Sequence, residues 1–183
     1  MKGAYFLELK GSKTWNNLHA AWAGETQAQA KYTYFAAKAR KEGYEEIARI
    51  FEETARNEHA HGKLWFQHMM DGIGETAANL ENARSGEHYE WSEMYREFAK
   101  TAREEGFTRI AQQFEQVGEI ERTHMERFAI NKDNVEQHHV FEKNDETTWV
   151  CLNCGYIHHA KAAPAVCPVC EHPQSYFKEQ TSC

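Results

Sequence analysis

Apolar positions recur at steps of three and four through the first two thirds of the chain, the period of helices with one buried face. Leu18, Trp22, Glu25, Gln29, Tyr32, Phe35 and Ala39 fall on one stripe, predicting a first helix from about Thr14 to Glu42 with Gly43 as its stop. Ile47, Phe51, Thr54, Glu58, His61, Trp65 and His68 make a second stripe, predicting a helix from Tyr44 to Met70 that ends in Asp71-Gly72-Ile73-Gly74. A connector of about eleven residues, long enough to cross a bundle, is expected before a third helix over Gly86 to Glu105 and a fourth from Phe107 to Asn131. No proline interrupts this region, and Ala, Glu, Gln, Lys and Arg favour long helices.

The two pairs are a duplication. ARKEGYEEIARIFEETARNEHAH from Ala39 resembles AREEGFTRIAQQFEQVGEIERTH from Ala102 at a constant offset of 63 residues. In both copies the apolar stripe turns polar at mid-helix, at Glu58 and His61 in one and Glu121 and His124 in the other. With Glu25, Glu90 and Glu93 added, several carboxylates share a core face that carries no matching Lys or Arg. Such a cluster repels itself and loses hydration, and bound divalent cations are the natural counter-charge. Glu and His donors without Cys or Met suit iron or manganese, and one Glu from each of two helices plus Glu-x-x-His from the other two is a two-metal bundle pattern. Chance alone yields Glu-x-x-His roughly 1.5 times in such a composition, and the chain has three. Two of them occupy equivalent places in a duplication; the third, Glu136-x-x-His139, falls in a charged stretch read as a linker over 132–148. At the same offset Glu25 pairs with His88, two residues short of Glu90, so one copy needs a helical irregularity to match the other.

Beyond that stretch, Cys151-x-x-Cys154 and Cys167-x-x-Cys170 are separated by twelve residues. A piece of roughly 30 residues cannot bury enough surface to fold unaided, so a tetrathiolate metal holds it together. Zinc in a ribbon and iron in a rubredoxin-type centre both use this spacing. The fifth cysteine, Cys183, reads as a frayed free thiol. The 183 residues carry a net charge of −7, which opposes nucleic acid or an anionic membrane as partner. No apolar run is long enough for a membrane span, and the first residues do not read as a secretory signal, so a cytoplasmic protein is expected.

GETQAQAKYTYF, ETARNEHAH, GEHYEWSEMY, EIERTHMERF and CLNCGYIHHAKAAPAVCPVCEHPQSYF together resemble the rubrerythrins over nearly the whole chain. The resemblance implies an all-α, ferritin-like four-helix bundle over 1–131 followed by a small metal-stabilised rubredoxin-like β/loop domain over 149–183. It implies Glu25, Glu58, His61, Glu90, Glu93, Glu121 and His124 as ligands of two non-haem iron ions, Glu58 and Glu121 bridging. Cys151, Cys154, Cys167 and Cys170 would hold a third iron. His61 and Glu93 would alternate as ligands between the reduced and oxidised states. Two ferrous ions, four carboxylates and two neutral imidazoles sum to zero charge, so oxidation favours an added carboxylate. Tyr32, on the stripe of Glu25, is placed to donate to a ligating carboxylate or simply to pack. The implied activity is reduction of hydrogen peroxide to water by a homodimer or larger homo-oligomer. An external rubredoxin or an NAD(P)H-dependent reductase would supply electrons. Ferroxidase or iron-handling activity of the ferritin type and a zinc-loaded association module are the rival readings.

Overall fold

The computed structural model describes residues 9–69 and 73–180; Cys183, the expected helix end Met70, and Asp71 and Gly72 of the stop lie outside them. Two compact units divide the chain after Gly74. The first is a helical hairpin of α1 (Lys13–Lys41) and α2 (Glu45–Met69). Ser12 caps α1 by accepting from the N–H of Trp15 at 3.1 Å. At its other end Gly43 takes φ +87°, where only glycine escapes the Cβ penalty. Its N–H donates to the Arg40 carbonyl at 3.0 Å and that of Tyr44 to Ala39 at 2.9 Å, which pairs otherwise orphaned carbonyls. Buried Ala36, Ala39, Ala48 and Ala55 let the two helices approach closely.

In the second unit α3 (Thr76–Tyr89), a π-helical segment (Glu90–Met94) and α4 (Tyr95–Glu104) form one continuous rod that packs on α5 (Thr108–Glu136). The offset of 63 residues holds here in detail. Gly106 has φ +86° with the same pair of capping bonds, and Ala99, Ala102 and Ala111 are buried as Ala36, Ala39 and Ala48 are. Tyr95, Phe98 and Phe114 repeat the ring cluster of Tyr32, Phe35 and Phe51. The ion pair Arg40–Glu52 at 2.8 Å reappears as Arg103–Glu115 at 2.7 Å.

Two expectations are corrected. The third helix starts at Thr76, not Gly86, because Ala77, Ala78, Leu80, Glu81 and Arg84 are helix formers and an isolated interior glycine only weakens a helix. Ten residues expected in the connector, 76–85, are therefore helical. The charged stretch read as a linker is instead the end of α5, held in part by Lys132–Glu136 at 3.1 Å, and then the start of a strand at Glu142.

The C-terminal module is a three-stranded antiparallel sheet, order β2-β1-β3, from β1 (Glu142–Cys151), β2 (Ile157–Ala162) and β3 (Phe177–Glu179). Trp149, Cys151, Ala163, Cys167 and Phe177 form its core, and the Trp149 indole N–H donates to the Ala160 carbonyl at 3.1 Å. Among the described residues no helix is long and apolar enough to cross a membrane.

Candidate metal centres

Each hairpin brings together two carboxylates and one imidazole. In the first, Glu25 projects from α1 and Glu58 and His61 from one face of α2, with ligand atoms within 4.8 Å of one another. His61 Nδ1 lies 3.1 Å from Glu58 and 3.8 Å from Glu25. In the second, His124 Nδ1 lies 2.7 Å from Glu121 and 3.5 Å from Glu87. Glu25 and Glu58 in one triad, and Glu87, Glu121 and His124 in the other, are half-buried; His61 is the exposed member. The hydrogen bond with Glu25, then that with His61, holds the Glu58 carboxyl below its ordinary range. Burial, then the hydrogen bond and charge of Glu121, pushes Glu87 up. Carboxylates crowded in this way are short of positive charge, and the donor set of oxygen and imidazole nitrogen fits iron.

Glu87 is the ligand candidate that the sequence reading passes over. From Glu25 to Tyr32 is seven residues, whereas from Glu87 to its counterpart Tyr95 is eight. The π-helical segment absorbs the one extra residue, so Glu25 corresponds to Glu87, the neighbour of His88, and not to Glu90. Glu90, one turn further, is half-buried and close enough for its charge to help raise the pKa of both Glu87 and Tyr95. Glu93 is not brought to the triad: it is exposed and lines a surface depression with Ser92, Arg96, Glu97 and Lys100. Tyr32 packs its ring on Phe35 and Phe51. The donor that approaches Glu25 is the Trp65 indole N–H, at 3.5 Å.

Cys151, Cys154, Cys167 and Cys170 converge at two turns of the same design. The Gly155 N–H donates to the Cys151 carbonyl and the Glu171 N–H to the Cys167 carbonyl, each at 2.9 Å, with φ +76° at Gly155 and +59° at Glu171. The sulfur separations Cys151–Cys170 and Cys154–Cys167 are both 3.7 Å. That is far beyond a disulfide bond and close to the edge of about 3.8 Å expected for a tetrahedron with metal–sulfur bonds near 2.3 Å. The backbone N–H of His172 is the largest influence lowering the Cys170 thiol, to about 6. The N–H of Tyr156 acts likewise on Cys154, but hydrogen bonding with the other cysteines outweighs it and pushes that thiol up to about 12. Four thiols that cannot all ionise unaided make a site completed by a cation.

Comparison with known proteins agrees with both centres. The Rubrerythrin family model matches residues 16–131, and the model described as the rubrerythrin, rubredoxin-like domain matches residues 149–178. The chain is 46% identical to a rubrerythrin of Porphyromonas gingivalis, covering 93% of this chain and 91% of that one. It is 42% identical to rubrerythrin-1 of Clostridium acetobutylicum, covering 93% and 95%. A solved nigerythrin in a partially reduced state is 33% identical over 98% of this chain and 94% of that one, with a TM-score of 0.36. With a carboxylate–histidine bundle followed by a four-cysteine module, in that order and over nearly its full length, the chain belongs to the rubrerythrin family.

Proposed function

We propose that this chain is a peroxidase that reduces hydrogen peroxide to water, protecting its cell from oxidative stress. The O–O bond breaks as two electrons and two protons enter, and both oxygens leave as water. The chemistry that bound irons would supply is delivery of two electrons together, without a one-electron step, with a tetrathiolate iron restoring them singly. Glu25, Glu58 and His61 of the first hairpin, and Glu87, Glu121 and His124 of the second, would hold the irons.

Four carboxylates and two neutral imidazoles balance two ferrous ions. The additional carboxylate that oxidation calls for is assigned to Glu90, which stands one turn from Glu87, and no longer to Glu93. The Tyr95 hydroxyl keeps its proton next to these groups, because burial first, then the charges of Glu121, Glu90 and Glu87, raise its pKa. Cys151, Cys154, Cys167 and Cys170 would hold the electron-relay iron, which a rubredoxin or an NAD(P)H-dependent reductase would feed from outside. The observation that carries this reading is the pair of Glu₂His triads in equivalent places of a duplication, joined to a four-cysteine site in one chain.

The test is anaerobic reduction of the iron-loaded protein followed by two equivalents of hydrogen peroxide per chain, enough to take all three electrons, with the visible absorption of the ferric tetrathiolate followed in time. Return of that colour with peroxide consumed is expected. Peroxide that leaves the reduced spectrum unchanged on the turnover timescale refutes the activity, even with both metal sites filled.

A further inference from the structure

The duplication is broken at two neighbouring positions beside the first triad, and both bear on Glu25. At the offset of 63 residues, Gly62 becomes Met125 and Trp65 becomes Phe128. We infer that Trp65 is a positioning residue: its indole N–H ties one oxygen of Glu25, so that this carboxylate offers a metal its other oxygen alone, while Glu87 is under no such constraint. The inference rests on the two-iron reading above and adds what sets the metal of the first triad apart from that of the second.

Trp65 stands seven residues after Glu58 and four after His61, on the face of α2 that carries both. Helix α1 passes close to this face because buried Gly62 has no side chain: a Cβ there would meet that of Glu25 at 3.6 Å. The two oxygens of Glu25 face different groups. Oε1 lies 3.5 Å from Nε1 of Trp65, and Oε2 lies 3.8 Å from Nδ1 of His61. One oxygen is thus turned to the indole and the other into the ligand set. An indole N–H donates and cannot accept, so it competes with a cation for the lone pairs of Oε1 and leaves those of Oε2 free. Both side chains are half-buried, which limits the water that could take the indole's place.

No indole does the same for Glu87. Phe128 carries a ring without an N–H, and Trp91, four residues along from Glu87, has a buried Nε1 that meets no hydrogen-bond partner. The imidazole side of the triads does repeat, with Nδ1 of His124 at 3.5 Å from Oε2 of Glu87. Hydrogen bonds between ligand carboxylates, Glu58 with Glu25 and Glu87 with Glu121, occur in both hairpins and do not distinguish them. The indole N–H is what the first hairpin has and the second lacks. A partner that orients a metal ligand in this way is worth about 10–100-fold in metal affinity.

Trp65→Phe, which places the residue of the second hairpin in the first, tests this in the full-length protein. Ferrous ion is titrated anaerobically into the metal-free protein, and the loaded bundle is recorded by Mössbauer spectroscopy. Wild type is expected to give two distinct ferrous signals from the bundle. In Trp65→Phe one signal should move toward the other, which stays fixed, and one binding step should weaken by about 10–100-fold. Helix content and tetrathiolate iron should not change. Should the phenylalanine variant fail to fold, Trp65→Leu removes the same N–H. Bundle iron in both proteins with coincident spectra and equal affinity would overturn the role of Trp65 alone. Two signals that already coincide in the wild type, or that shift together in the variant as general repacking would make them, would overturn it as well. Wild-type protein that takes up no bundle iron would overturn the two-iron reading and this inference with it.

Discussion

Glu171 is a side chain placed where its backbone favours glycine. Its φ of +59° closes the second cysteine turn as Gly155, at +76°, closes the first. A left-handed conformation costs a residue with a Cβ roughly 1–2 kcal/mol. Glu171→Gly is therefore expected to raise the stability of the metal-loaded module by about 1 kcal/mol, less the entropy lost by a glycine on folding, as read by its thermal midpoint. Glu87 presents a different conflict. Its carboxyl is raised in the folded protein from an ordinary value of 4.5 by burial first and by Glu121 next. A raised folded pKa means stability that is complete below the unfolded value and declines as pH rises through the folded one. Metal-free Glu87→Gln should thus be more stable than metal-free wild type near neutral pH, with the advantage vanishing below about pH 4.5. The same variant should bind less iron. Denaturation curves over pH, with iron content measured alongside, check both halves of that expectation.

At the scale of elements, the duplication was plain in the letters because Gly43 and Gly106, the buried alanines and the ring clusters all obey one offset. Both Glu-x-x-His pairs, Glu25 and the four cysteines were legible for the same reason: their spacing is their geometry. Glu87 was not, since a π-helical turn leaves no residue-type signature and reveals itself only as one residue too many before Tyr95. Deleting Ser92 should convert that turn to regular α-helix and leave Glu87 seven residues before Tyr95, the spacing of Glu25 and Tyr32, so that Glu87 keeps its place. Helix content by far-UV circular dichroism and iron bound by the second triad should both persist; loss of that iron with helix content intact would mean that Glu87 is not the counterpart of Glu25. The start of α3 was hidden by Gly86, whose weak helix preference masks six good helix formers among the ten residues before it, and the strand in 142–151 by charges that pair in a sheet as readily as they solvate a linker.

For the whole molecule, the sequence reading and the fold agree on a helical, ferritin-like bundle ahead of a rubredoxin-like module, and part company on the span between the hairpins. A connector that was to cross the bundle is mostly helix. Charge is what binds the account together: half-buried glutamates in matched triads are tolerable because cations neutralise them. Counting iron by spectroscopic type in the purified, iron-replete protein tests this most directly. Wild type should contain about two bundle irons for each tetrathiolate iron, falling to none in the double variant Glu58→Ala/Glu121→Ala with the tetrathiolate signal intact. Bundle iron that survives the double substitution, or is missing from the wild type, would contradict it.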